Sequence, residues 1–167
     1  MRQQVQANVI QGYRIASGTS AHKTMFNVDG GTLGLQIPAF KKHGFDLDAY
    51  FGTRGYVCGT LNLSVAPHRV TIGAPKYFLK NIRWTDKLDK AGQAPFVENF
   101  FLDDAAILHG GKTYQGLLYI PDPATKPAGF SPTPATIEVI AQEIPGIAYG
   151  DHVMLEYNSE AITLSGL

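Results

Sequence analysis

An all-β barrel or sandwich is the fold class that this 167-residue sequence predicts, on three observations. Glycine and proline, 18 and 10 of them, are spread along the chain and leave little room for long helices. Helical periodicity is scarce. Short strand-like runs recur instead, most of them bounded by glycine, proline or aspartate clusters. In chain order these runs are residues 8–13, 33–37, 60–65, 68–72, 80–84, 104–109, 112–120, 135–141 and 152–157. The best helix candidate is 38–43, where Pro38 fits the first turn and Gly44 the stop. Residues 46–51 predict another short helical turn with Asp46 as its cap. Segments 85–95 and 121–134 read as long loops, the second holding Pro121, Pro123, Pro127, Pro132 and Pro134. No internal repeat or domain boundary is visible, so residues 1–167 form a single predicted domain.

Composition narrows the function classes. Lys plus Arg equals Asp plus Glu, at 14 each, so no net field draws the chain to nucleic acid or anionic lipid. The single Cys58 excludes an intramolecular disulfide framework and any Cys-based zinc site. No apolar run reaches the length of a membrane span, and the polar N-terminus lacks the apolar core of a secretory signal. The expectation is a cytoplasmic protein with no nucleic-acid or membrane partner.

The segment Cys58-Gly59-Thr60-Leu61-Asn62-Leu63-Ser64-Val65 carries the most chemistry. Period-2 alternation sends Leu61 and Leu63 to one face and Thr60, Asn62 and Ser64 to the other. A strand face rich in oxygen is unusual, because Asn is depleted in strands. A Thr hydroxyl and an Asn carbonyl side by side suit a hard cation such as Mg²⁺, completed by waters and substrate phosphates. The same pattern also describes a half-exposed strand with polar residues facing water. Cys58, just before this strand, reads as a small buried hydrophobe.

Other motifs carry less. Gly110-Gly111-Lys112-Thr113 mimics the end of a phosphate-binding loop, but Ala106 stands where that motif needs glycine. A hairpin turn between Leu108 and Tyr114 is predicted there. The five histidines have no partners at metal-ligand spacing. Lys76-Tyr77-Phe78-Leu79-Lys80-Asn81-Ile82-Arg83-Trp84 interleaves cations with aromatics. It reads either as a ring-stacking surface with Trp84 facing a ligand, or as a strand with Phe78 and Ile82 in the core.

In order, Val9-Ile10-Gln11-Gly12, Gln36-Ile37-Pro38-Ala39-Phe40, Gly59-Thr60-Leu61-Asn62-Leu63 and Gly111-Lys112-Thr113-Tyr114-Gln115-Gly116 form a recognisable series. Tyr119-Ile120-Pro121, then Thr136-Ile137-Glu138-Val139-Ile140-Ala141 and Gly150-Asp151-His152-Val153 complete it. Over roughly Val9 to Glu156 the chain resembles the archaeal-type, CTP-dependent riboflavin kinases. That resemblance implies a compact six-stranded cradle-loop β-barrel, with further strands and the 85–95 loop as insertions. It implies transfer of the γ-phosphoryl group of CTP to riboflavin, giving FMN. Thr60 and Asn62 match the family's Mg²⁺-binding Thr and Asn. Glu138 is the carboxylate expected nearest the acceptor, orienting or deprotonating the attacking hydroxyl or binding a flavin polar edge; it also reads as an ordinary solvent-facing strand residue, since Ile137, Val139 and Ala141 take the other face. Gly12, Ser17, Gly18 and Thr19 would give backbone and hydroxyl donors to the nucleotide phosphates. Thr125 and Lys126 follow on the nucleotide side, Lys126 as a point charge. Two other classes stay open: a non-catalytic barrel binding a flavin or nucleotide, and an interaction module docking through the 121–134 loop.

Overall fold

The computed structural model describes residues 1–11, 32–84, 97–125 and 134–166. Its elements run β1 (Arg2–Ile10), α1 (Leu33–Lys42), α2 (Leu47–Phe51) with a 3-10 turn (Gly52–Arg54), β2 (Leu61–Ser64), β3 (Arg69–Ile72) and β4 (Tyr77–Ile82). There follow β5 (Glu98–His109), β6 (Lys112–Pro121), β7 (Thr136–Ala141), β8 (His152–Asn158) and β9 (Ile162–Ser165). The large sheet runs β4-β5-β6-β7-β2-β1-β8 and returns from β8 to β5. Six antiparallel strands therefore close into a barrel, with β4 as an extra strand. The predicted six-stranded barrel is what the structure shows. β3 and β9 pair separately as a two-stranded sheet.

Alternation sorts the side chains into two cores. Ala7 and Val9 of β1, Leu63, Ala105 and Ile107, Leu118, Ile137 and Val139, and Val153 and Leu155 come from all six closing strands and fill the interior. On the outside of β5, β6 and β7, Phe100, Leu102, Leu117, Tyr119 and Ile140 form a second cluster with Leu33, Phe40, Leu47 and Phe51 of the helical region. Gly116 sits where β6 passes β7: a Cβ there would meet Val139 Cγ1 at 2.9 Å.

Pairing is uneven around the ring. β5 and β6 form a long hairpin from Phe100↔Pro121 to His109↔Lys112. Its two-residue turn is Gly110-Gly111, with φ of +57° and +74°, a conformation suited to glycine and to tight hairpins. The hairpin joins the other four strands through two short ladders, Gly116–Leu118 against Ala141–Val139 and Ala106–Leu108 against Glu156–Met154. Along that second edge β5 changes partner, from β4 at Glu98–Leu102 to β8 at Ala106–Leu108. Side chains serve the gap: Asp103 Oδ2 accepts from Lys76 N at 2.7 Å, and Arg2 Nη1 donates to the Asp104 carbonyl at 2.9 Å.

The predicted hairpin at 108–114 and the Asp46 cap are both present, the cap accepting from the N–H groups of Asp48 and Ala49. Other expectations need correction. Residues 33–37 are not a strand but the first half of α1, since burial of Leu33, Gln36, Ala39 and Phe40 follows a helical stripe. The Leu33/Leu35/Ile37 alternation was coincidental. β1 and β5 begin earlier than the apolar pattern indicates, because residues 2–6, polar but for Val5, pair with β8 and residues 98–102 with β4. β9 had no counterpart among the predicted runs. Cys58 is exposed rather than buried, as it lies in a bend ahead of β2. In β4, Ile82 is buried but Phe78 is 49% exposed, stacked on Phe101 across the strand pair at 4.7 Å. Trp84 is buried, not ligand-facing: its Nε1 donates to Glu98 Oε2 at 2.9 Å. The 85–95 loop and residues 126–133 lie outside the described residues. Among the described residues no helix is long and apolar enough to cross a membrane.

Candidate functional site

Three of the residues singled out in the sequence meet on the outer face of the barrel. β2 lies between β1 and β7, with Asn62 opposite Ile10 on one side and Glu138 on the other. Because Leu63, Ile137 and Val139 enter the interior, Asn62 and Glu138 point outward. Thr60 joins them through a buckle in the chain before β2. The Val57 N–H donates to the Ala141 carbonyl, while Leu61 is already opposite Val139. Four steps on one strand thus match two on the other, and the excess turns at Gly59, whose N–H reaches back to the Val57 carbonyl at 2.9 Å. The turn brings the Thr60 hydroxyl to Glu138, donating to Oε1 at 3.0 Å. Asn62 Nδ2 donates to the Thr60 carbonyl at 3.3 Å. All three side chains are half-buried.

Two neutral oxygens here, Thr60 Oγ1 and Asn62 Oδ1, could hold a hard cation. The Thr60 hydroxyl gives its hydrogen to the carboxylate, so the lone pairs of Oγ1 are turned away from Glu138. The Asn62 amide nitrogen is engaged by the backbone, which leaves Oδ1 as its ligating atom. Among the described residues no group of three or more His, Cys, Asp or Glu side chains could hold a metal. A cation at the ledge would take neutral oxygens from the protein and its anionic ligands from elsewhere, as Mg²⁺ does with substrate phosphates.

Thr125 is not brought to this trio. It ends the turn after β6, where Oγ1 accepts from Asn99 N at 2.9 Å and donates to the Asp122 carbonyl at 3.2 Å. Gly12, Ser17, Gly18, Thr19 and Lys126 lie outside the described residues.

A buried polar chain behind the ledge had no place in the sequence reading. Tyr119 Oη donates to Gln36 Oε1 of α1 at 2.7 Å, and both residues are buried. Burial pushes the Tyr119 phenol well above its ordinary range, and the charges of Glu98 and Glu138 add to the effect. It therefore stays a neutral donor at any working pH. Glu98 is itself buried and accepts the Trp84 indole N–H. The available signal was a polar residue inside each apolar run: Gln36 in Leu33–Lys42, Tyr119 in Lys112–Pro121 and Glu98 ahead of Phe100.

A second polar cluster ties α2 to the barrel. Tyr50 Oη donates to Asp104 Oδ1 at 2.9 Å and Lys76 Nζ to Asp104 Oδ2 at 2.9 Å. Burial raises the Asp104 carboxyl, but these hydrogen bonds and the Lys76 and Arg2 charges outweigh it, and its pKa is lowered. Neighbouring Asp103 goes the other way, raised chiefly by burial. No family model matches the chain, and no curated protein matches it either.

Proposed function

We propose that this chain is a riboflavin-kinase-like phosphotransferase. It would move the γ-phosphoryl group of a nucleotide, CTP in the family it resembles, to the ribityl hydroxyl of riboflavin or a similar acceptor. The observation that carries this reading is the convergence of Thr60, Asn62 and Glu138, from two strands distant in sequence, on the outer face of a closed six-stranded barrel. Thr60 and Asn62 belong to one segment, and nothing in the local sequence requires Glu138, 78 residues beyond Thr60, to meet them.

Phosphoryl transfer asks the protein for positioning and charge neutralisation more than for covalent chemistry. Thr60 Oγ1 and Asn62 Oδ1 would hold Mg²⁺, which neutralises phosphate charge when bound. Glu138 stands beside them as the group to orient the acceptor hydroxyl and take its proton. In the transfer the acceptor oxygen forms a bond to the γ-phosphorus, and the bond from phosphorus to the β-γ bridging oxygen breaks. The nucleoside diphosphate leaves, and the hydroxyl proton goes to Glu138.

The test is FMN formation by the purified full chain with riboflavin, Mg²⁺ and each of CTP, ATP, GTP and UTP. FMN is expected with at least one of them and is abolished by chelating the metal. Absence of FMN with all four, while riboflavin still raises the melting temperature, would leave a non-catalytic flavin-binding barrel instead.

A further inference from the structure

The cross-strand row that carries the ledge runs on beyond it. Leu118↔Val139 is the last pair of the β6–β7 ladder, so Tyr119 and Glu138 face each other one step past the end of strand pairing. We infer that Tyr119 and Gln36 are positioning residues that lock α1 in place beside Glu138; the inference rests on the phosphotransferase reading. Backbone pairing stops before this step, and side chains must fix it. Two contacts do so. Phe40 packs edge-on against Phe100 at 4.9 Å, and Phe100 touches the Tyr119 ring at 5.7 Å. The other contact is the 2.7 Å bond from Tyr119 Oη to Gln36 Oε1, which spans 83 residues of sequence. Apolar packing tolerates small slides, whereas a short hydrogen bond between two buried groups admits one arrangement.

Gln36 reaches the site through Tyr119, the residue opposite Glu138. Gln36 and Phe40 both occupy the buried stripe of α1, Phe40 in the same apolar cluster as Tyr119 and Ile140, and Ile140 follows Glu138 by two residues on the same face. A shift of α1 therefore pulls on the residue facing the carboxylate.

The experiment separates positioning from plain stability. Tyr119→Phe alone strands the Gln36 amide in the interior and lowers the melting temperature. Adding Gln36→Met replaces the polar pair with apolar side chains of similar size, which restores most of the stability. Positioning predicts that this double variant melts within about 3 °C of wild type. Its kcat for FMN formation should still fall about tenfold, because the reacting groups lose alignment. KM for the nucleotide should change less than about threefold. Gln36→Met alone gives a second reading, with the same fall in kcat expected. Wild-type kcat in either variant overturns the inference and leaves the bond a merely structural one. A wild-type chain that makes no FMN overturns the phosphotransferase reading, and the inference falls with it.

Discussion

The interior of the barrel takes side chains from all six closing strands and is aliphatic but for Tyr157, whereas the outer face of β2, β7 and β6 carries an amide, a carboxylate and a phenol in one row. Both faces come from the same strands, residue by residue. Inside, shape and volume decide what is tolerated. Outside, a hydroxyl donates to a carboxylate at 3.0 Å and an amide donates to a backbone carbonyl at 3.3 Å. The outer face is itself divided, because Ile140, two residues beyond Glu138, already belongs to the second apolar core.

Adjacent residues of β2 give the sharpest way to break that comparison. Asn62→Ala should lower FMN formation by about a hundredfold or more, by removing a proposed metal ligand. Its unfolding free energy in urea should change by less than about 1 kcal/mol. Leu63→Ala, one residue on and fully buried, should do the reverse. It should cost about 2–5 kcal/mol in the same titration, with kcat per folded molecule unchanged. If Asn62→Ala unfolds the chain, or Leu63→Ala spares it, the two faces are not independent.

A smaller effect is expected at Asp104, whose bonds to Tyr50 and Lys76 attach α2 and the start of β4 to β5. Its carboxyl is lowered from the ordinary 3.8, so the folded state holds it ionised where the unfolded chain would take up a proton. That contribution is complete above pH 3.8 and is lost as the pH falls through the lower folded value. Wild type should therefore show a higher urea midpoint than Asp104→Asn at pH 7, and the gap should close below pH 3.8. A gap that persists at low pH would mean the attachment is not ionic. The smallest effect belongs to exposed Cys58. Cys58→Ser should stay within about 0.5 kcal/mol of wild type, and a larger loss would show that the bend before β2 depends on the thiol.

Strand content was legible because the β5–β6 hairpin advertises itself: alternating apolar residues flank a Gly-Gly pair at the required spacing. The start of α1 was misread because Leu33, Leu35 and Ile37 also repeat every two residues, and five residues are too few to separate the two periods. β1 was cut short for a different reason. Arg2, Gln3, Gln4 and Gln6 carry no apolar signal, and only the partner strand makes them a strand. At the site, Thr60, Asn62 and Glu138 could each be named from the chain. Their meeting depends on the register that sets Asn62 against Glu138 and on the buckle at Gly59, both properties of the paired strands. The Gln36–Tyr119 bond was invisible, because neither residue has a local reason to seek the other.

The unequal ladders of the ring have a dynamic meaning. The β5–β6 hairpin is paired along nearly its whole length, yet each of its two seams with the rest of the barrel spans three residues. Hydrogen exchange is therefore expected to be slowest along the hairpin's inner ladder and faster at the two short seams. One seam ends beside Glu138. The expected weak point of this ring is thus set by where its ladders are shortest, next to the residues proposed to do its chemistry.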